Sequence, residues 1–263
     1  MKKEGKESSL PSPNSQRSEY SVYQGAIIVE KQELLYEGKA KKIYGTNEEN
    51  VLWIEYKNEA TAFNGEKKAE IEGKAVLNNK ISSLIFAELH KANIETHFIK
   101  QLSNYEQLVR QVTIIPIEVV VRNIAAGSIS KRLGFEEGMK FEKTLVEFYY
   151  KDDSLGDPLI TDDHALMLEL ATKEELEEIK QKALAVNEVL IPYFKEKNIT
   201  LVDFKLEFGK TVAGQIILAD EISPDTCRFW DSKTNQKLDK DVFRRDLGKL
   251  TDAYNEILTR IGG

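Results

Sequence analysis

Between residues 201 and 231 the chain reads LVDFKLEFG, KTVAG and QIILADEISPDTCRFWD, a stretch that gathers acidic groups around a lysine. In an extended segment 201–208, Val202, Phe204, Leu206 and Phe208 fall on one face, and Asp203, Lys205 and Glu207 on the other. The Gly-bounded segment 209–214 reads as a turn, and 215–222 as the partner strand, carrying Asp220 and Glu221 toward its end. Such a pair suits a metal-nucleotide site, because Mg2+ takes oxygen ligands and leaves positions for phosphate. Without a cation, crowding would instead raise the pKa of one carboxylate. A solvated hairpin face bearing ordinary ion pairs has the same pattern, and spacing alone does not separate the two.

Three other stretches carry groups able to do chemistry. In EGKAKKIYG, Lys39, Lys41 and Lys42 lie beside Gly38 and Ala40, so backbone can approach a phosphate while ammonium groups neutralise it. With one glycine it matches neither common phosphate-loop pattern, and a solvated basic hairpin reads the same way. In IEVVVRNIAAGS, Arg122 stands at a strand end, and Gly127 and Ser128 open a turn whose free N–H groups, with Arg122, suit an anion; an ordinary strand-to-helix turn capped by Ser128 is the alternative. KDDSLGDPLITDDH is an acidic loop in which Lys151 and Asp157 either face a substrate or are merely solvated. The three histidines, His90, His97 and His164, have no zinc-ligand spacing.

The elements that must position these groups follow from pattern. Residues 1–24 are rich in Lys, Glu, Ser, Pro and Asn and lack a signal-peptide core, which predicts a disordered leader over 1–29. Order is expected from near Glu33, with a hairpin whose second strand is 51–56. Ile81, Leu84, Ile85 and Leu89 recur at helical spacing from Asn78 to near Asn93. Ser103 and Glu106 form a capping-box pattern that predicts a short helix including Tyr105 and Leu108. After Pro116, IEVVVRN reads as a buried strand. Thr172 and Glu175 cap a long helix buried through Leu176, Ile179, Ala183, Val186 and Leu190, which Pro192 is expected to kink or end. Asp239 is expected to cap a last helix buried through Phe243, Leu247, Leu250, Tyr254 and Ile257.

The 263 residues suffice for one large domain or two small ones. Cys227 is the single cysteine, so no intrachain disulfide forms; this fits a reducing cytoplasm, the compartment expected, and equally a secreted monomer without bridges. No apolar run is long enough to span a membrane, and the net charge of -7 argues against a broad nucleic-acid face.

Taken in order, EGKAKKIY, VVVRNIAAGS, KDDSLGDP, VDFKLEFG, LADEISPDTCRFWD and DKDVFRRDLG resemble the SAICAR synthetases (phosphoribosylaminoimidazole-succinocarboxamide synthases) over about residues 33–261. The departures are the leader before Glu30 and small changes such as Ile222, where an aromatic is common in the family. The resemblance implies a ligase that uses ATP and Mg2+ to join L-aspartate to 5-amino-1-(5-phospho-D-ribosyl)imidazole-4-carboxylate (CAIR) through an acyl phosphate, releasing ADP and phosphate. By the same resemblance, Gly38, Lys39, Ala40 and Lys41 would cover the ATP phosphates and the backbone of Val112 to Ile114 would meet adenine. Glu207 and Asp220 would hold the metal, with Lys205 beside the phosphates and these three catalytic. Arg122, Ser128 and Arg228 would bind the ribotide, with Lys151, Asp157 and Arg244 on the substrate side.

The implied fold is α+β and two-lobed: an antiparallel N-terminal ATP-binding lobe (30–115), and a C-terminal substrate- and metal-binding domain (116–263) of sheet and helices, with the ATP cleft between. A homodimer is implied as well. The alternatives are a small-molecule phosphotransferase and an inert nucleotide-binding protein. Against the first as a protein kinase, the H-R-D-x-x-x-x-N loop is missing and DFK at 203–205 replaces D-F-G.

Overall fold

A computed structural model describes residues 21–24, 27–62 and 66–262. In chain order the elements begin with β1 (Ser21–Gln24), β2 (Ile27–Glu37), β3 (Lys41–Thr46), β4 (Val51–Tyr56), β5 (Glu59–Ala62), β6 (Lys67–Glu70) and α1 (Lys74–Lys91). There follow β7 (Phe98–Gln101), β8 (Glu106–Arg110), β9 (Thr113–Ile124), α2 (Ser128–Leu133), β10 (Lys140–Tyr150) and β11 (Leu159–Ile160). The chain continues through α3 (Asp162–Met167), α4 (Lys173–Glu196), β12 (Ile199–Lys210), β13 (Ile216–Ala219), β14 (Cys227–Asp231), α5 (Asp241–Arg244) and α6 (Leu250–Ile261).

Two antiparallel sheets carry the architecture, which is α+β as the resemblance implies. The first has the order β1-β2-β3-β4-β8-β7, and β4 is buried on both faces. Trp53 packs with Val29 and Leu108 on one side, while Ile54 and Tyr56 pack with Val109 and Ala75 of α1 on the other. The second sheet has the order β11-β10-β9-β12-β13, with β14 also pairing with β12.

Alternation on β9 sends Ile115, Ile117, Val119 and Val121 into the main core, and Phe204, Leu206 and Phe208 of β12 join them. Helix α4 covers that face through Leu176, Ile179, Ala183, Val186, Leu190 and Phe194, and its capping box at Thr172 and Glu175 is formed as expected. The opposite face, bearing Glu118, Arg122, Asp203, Lys205 and Glu207, lines a cavity.

Several elements depart from the sequence expectation. Tertiary pairing overrides the cap pattern at Ser103: residues 106–110 form β8 between β4 and β7, not a helix. Ser103 Oγ still donates to Glu106 Oε2 at 2.9 Å, but Glu106 is fixed in the sheet by bonds from Trp53 Nε1 (2.9 Å) and Lys31 Nζ (3.0 Å). Val202 does not share the face of Phe204, because the register with β14 shifts between Leu201 and Asp203. Leu201 joins the main core instead, and Val202 packs with Ile124, Ala126 and Trp230.

Helix α4 runs through Pro192 to Glu196, since Phe194 extends the buried stripe past it and burial outweighs the missing N–H. The C-terminal helix is two helices with Leu247 exposed between them. Asp239 accepts from the backbone N–H of Asp241 (2.8 Å) and of Phe229 (2.9 Å), so it ties α5 to β14 as well as steadying the helix start. Pairing of β1 with β2 brings order earlier than Glu33; the rest of the expected leader, 1–20, 25 and 26, lies outside the described residues. The expected lobe boundary after Ile115 falls inside β9, and α1, from the first lobe's sequence, packs into the core of the second.

Candidate active site

The cavity has a volume of about 800 Å3 and takes its walls from both sheets. The turn into β3 contributes Gly38, Lys39, Ala40 and Lys41. Val112 and Ile114, near the start of β9, form an apolar end together with Ile43, Leu52 and Ile54. From the second sheet come Arg122, Lys205, Glu207 and Arg228, joined by Ser128, Lys151, Asp157, Asp220 and Arg244. Apart from Thr113, all the residues to which the resemblance gives a role thus line one space, although they lie far apart in the chain.

At its centre, carboxylates and ammonium groups alternate. Lys205 Nζ lies 2.6 Å from Glu207 Oε1, 2.9 Å from Glu118 Oε1 and 3.8 Å from Asp220 Oδ2. Lys151 Nζ reaches the same Glu207 oxygen at 2.8 Å, and Lys41 Nζ reaches Asp220 Oδ1 at 2.5 Å and Glu221 Oε2 at 3.6 Å. Burial penalises both lysine ammonium groups, but the carboxylates outweigh it and hold Lys41 and Lys205 well above the usual lysine range. They are therefore fixed positive charges rather than bases. Burial likewise works against ionised Asp220, yet Lys41 and Lys205 keep its pKa well below the ordinary carboxylate value. Glu221, buried beside Asp220 and Asp225, is pushed up instead, and its Oε2 has no hydrogen-bond partner.

A second cluster surrounds the α2 turn. Arg122 donates to Glu147 Oε2 (2.7 Å), Asp203 Oδ2 (2.8 Å), Ser128 Oγ (3.0 Å) and the Tyr149 hydroxyl (3.2 Å). Arg228 bonds Asp203 Oδ2 at 3.0 Å and Asp241 Oδ2 at 3.0 Å, and Arg244 bonds Asp241 Oδ1 at 2.7 Å. Lys39, at the opposite rim, pairs with Asp153 at 2.7 Å.

Sequence reasoning passed over Glu118, Asp153 and Asp241, each of which contacts a residue it had chosen, and it placed Glu221 beside Asp220 without giving it a role. It also passed over Lys74, which is 1% exposed and ion-paired with Asp225 at 2.6 Å beneath the cavity. Alternation on β9 would have placed Glu118 with Arg122; the others depend on contacts between distant segments. Among the described residues no three His, Cys, Asp or Glu side chains gather as a ready metal cage. Glu207 and Asp220, both facing Lys205, nevertheless form a donor set that suits Mg2+, which is held by one or two carboxylates with phosphate and water completing its shell.

Comparison with known proteins adds a family to this geometry. A family profile described as SAICAR synthetase matches residues 34–261. The phosphoribosylaminoimidazole-succinocarboxamide synthase of Anoxybacillus flavithermus is 64% identical over 235 residues, covering 89% of this chain and 98% of that protein. A solved SAICAR synthetase in complex with ADP superposes with a TM-score of 0.85 at 50% identity, covering 88% of this chain and 98% of that one. The enzyme of Ehrlichia chaffeensis gives a TM-score of 0.85 at 47% identity, with 87% and 98% covered.

Proposed function

The chain belongs to the SAICAR synthetase family, and from that premise we propose how its own residues carry out the family's reaction. That reaction is the ATP-dependent condensation of CAIR with L-aspartate, giving SAICAR, ADP and phosphate. A carboxylate resists attack by an amine because its oxygen is a poor leaving group. Phosphoryl transfer from ATP converts that oxygen into the leaving group of an acyl phosphate, which the amine of aspartate displaces.

The assignment rests on one observation: Lys41, Lys205, Glu207, Asp220, Arg122 and Arg228 converge on a single cavity although they come from different strands and loops. Gly38, Lys39, Ala40 and Lys41 cover the ATP phosphates, and the apolar end at Val112 and Ile114 receives adenine. Lys41 and Lys205, held as permanent cations, stabilise charge on the transferring phosphoryl group, a contribution of several kcal/mol in such sites. Glu207 and Asp220 would hold Mg2+, whose charge would offset that of the phosphates. Arg122, Ser128 and Arg228 bind the ribotide, and Lys151, Asp157 and Arg244 lie on the substrate side.

We further read residues 30–115 and 116–263 as the nucleotide and substrate parts of the enzyme, working as a homodimer on small molecules in the cytoplasm. The buried free thiol of Cys227 fits that compartment. ATP turnover measured with CAIR and aspartate, singly and together, tests the ligase reading: hydrolysis indifferent to aspartate rejects it. For the metal assignment, Glu207→Gln is expected to abolish turnover with the fold intact by circular dichroism, and unchanged Mg2+-dependent activity rejects it.

A further inference from the structure

Asp203 has no assigned part in the reaction, yet it occupies a singular place in the sheet. On β12 it is the register partner of Arg122 on β9 and also of Arg228 on β14, so the three side chains stand in a row across three strands. Its carboxylate is buried and accepts from both guanidinium groups, from Arg122 Nη1 at 2.8 Å and from Arg228 Nη1 at 3.0 and 3.1 Å. The outer ends are also fixed, Arg122 Nε by Glu147 (2.7 Å) and Arg228 Nε by Asp241 (3.0 Å). With Nε and Nη1 tethered, the planar guanidinium leaves each Nη2 with one direction to point.

Both point to the same place. Arg122 Nη2 donates to Ser128 Oγ at 3.0 Å and to the Tyr149 hydroxyl at 3.2 Å. The Arg228 guanidinium lies so close to Gly127 that a Cβ built there would collide with Nη2 and stand 2.6 Å from Cζ. Two cations this near would repel without the carboxylate between them.

We propose that Asp203 is a positioning residue that sets the spacing of Arg122 and Arg228, so that their Nη2 atoms converge on the Gly127–Ser128 turn and grip the phosphomonoester of the ribotide. The inference rests on the assignment of Arg122, Ser128 and Arg228 to that substrate. Asp203 touches no substrate in this scheme. It acts by keeping two forks in one geometry, which bidentate phosphate recognition requires.

The test is steady-state kinetics, with ribose 5-phosphate and ADP as separate binding probes in calorimetry. Asp203→Asn keeps the shape and removes the charge. It is expected to raise the KM for CAIR and weaken ribose 5-phosphate binding at least tenfold, while ADP affinity and the KM for ATP stay within about twofold. Asp203→Glu retains the charge, which protects the fold, but its extra methylene changes the spacing; a several-fold rise in the KM for CAIR alone is expected.

A KM for CAIR unchanged in Asp203→Glu overturns the positioning role, as does a parallel loss of ADP and ribose 5-phosphate binding in either variant. Arg228→Gln separates the ribotide assignment from the role of Asp203. If it leaves ribose 5-phosphate binding intact, the ribotide assignment fails and the role of Asp203 falls with it; if it weakens binding while both Asp203 variants do not, only the role of Asp203 is lost.

Discussion

Replacing Gly127 by alanine tests how tightly the arginine cluster is built. Gly127 has φ 64° and ψ -125°, a backbone region that residues with a side chain rarely enter, and forcing alanine there costs about 1–3 kcal/mol. The new Cβ would also stand 2.6 Å from Arg228 Cζ and 2.9 Å from Nη1. The guanidinium has little freedom to retreat, because Asp203 and Asp241 hold it at 3.0 Å on two sides. Moving it gives up at least one charge-assisted hydrogen bond, about 1.5–3 kcal/mol. Taking about 2 kcal/mol for each part, Gly127→Ala should destabilise the protein by roughly 4 kcal/mol.

The two parts separate in an Arg228→Gln background. The shorter glutamine side chain avoids the collision, and neither neighbouring carboxylate is stranded, since Asp203 keeps Arg122 and Asp241 keeps Arg244. There Gly127→Ala should cost only the backbone part, about 2 kcal/mol. Urea unfolding of the four proteins closes the double-mutant cycle. A coupling within about 0.5 kcal/mol of zero means that the two sites are independent, and the proposed collision is then refuted.

Two titrations follow from other buried groups. Burial works against ionised Asp225, but Lys74 at 2.6 Å, Lys240 at 3.7 Å and the Tyr254 hydroxyl at 2.5 Å hold its pKa well below the ordinary aspartate value. The unfolded chain therefore takes up this proton at a higher pH than the folded one, so the stabilisation is present above about pH 4 and is lost as pH falls through the folded pKa. The double variant Lys74→Met, Asp225→Leu strands neither charge of the pair, and its urea midpoint should fall less steeply as pH drops from mildly acidic into the strongly acidic range; an equal slope refutes the linkage. Burial, aided by Lys41, brings the His97 imidazole down to about 3, so its NMR ring resonances should not titrate between about pH 8 and 5, and a midpoint above about 5 refutes this. Because the unfolded histidine takes up a proton near 6.5 and the folded one near 3, this residue costs stability progressively as pH falls across that interval.

What was legible in the sequence is what depends on spacing along one strand or helix. Alternation on β12 put Asp203, Lys205 and Glu207 on one face, and the stripe from Leu176 to Leu190 marked α4, because each pattern repeats over a few residues. The same reasoning failed at Val202, where a bulge breaks the alternation, and at Ser103, where a local cap pattern competes with strand pairing to β4. Chemistry between strands is a different matter. Asp203 meets Arg122 across 81 residues and Arg228 across 25, so its meaning depends on two registers that no local window contains.

Those registers are not independent of the readable pattern. Burying Val119 and Val121 of β9 against Phe204 and Leu206 of β12 fixes which residues oppose each other, since a slip by one would turn every apolar side chain outward. The apolar alternation that identifies the strands therefore also aligns Arg122 with Asp203, and the core face determines the charge order on the cavity face. Lys74 has no such link: its burial depends on α1, the 221–225 loop and α6 closing together around Asp225, an event of tertiary packing that leaves no periodic trace.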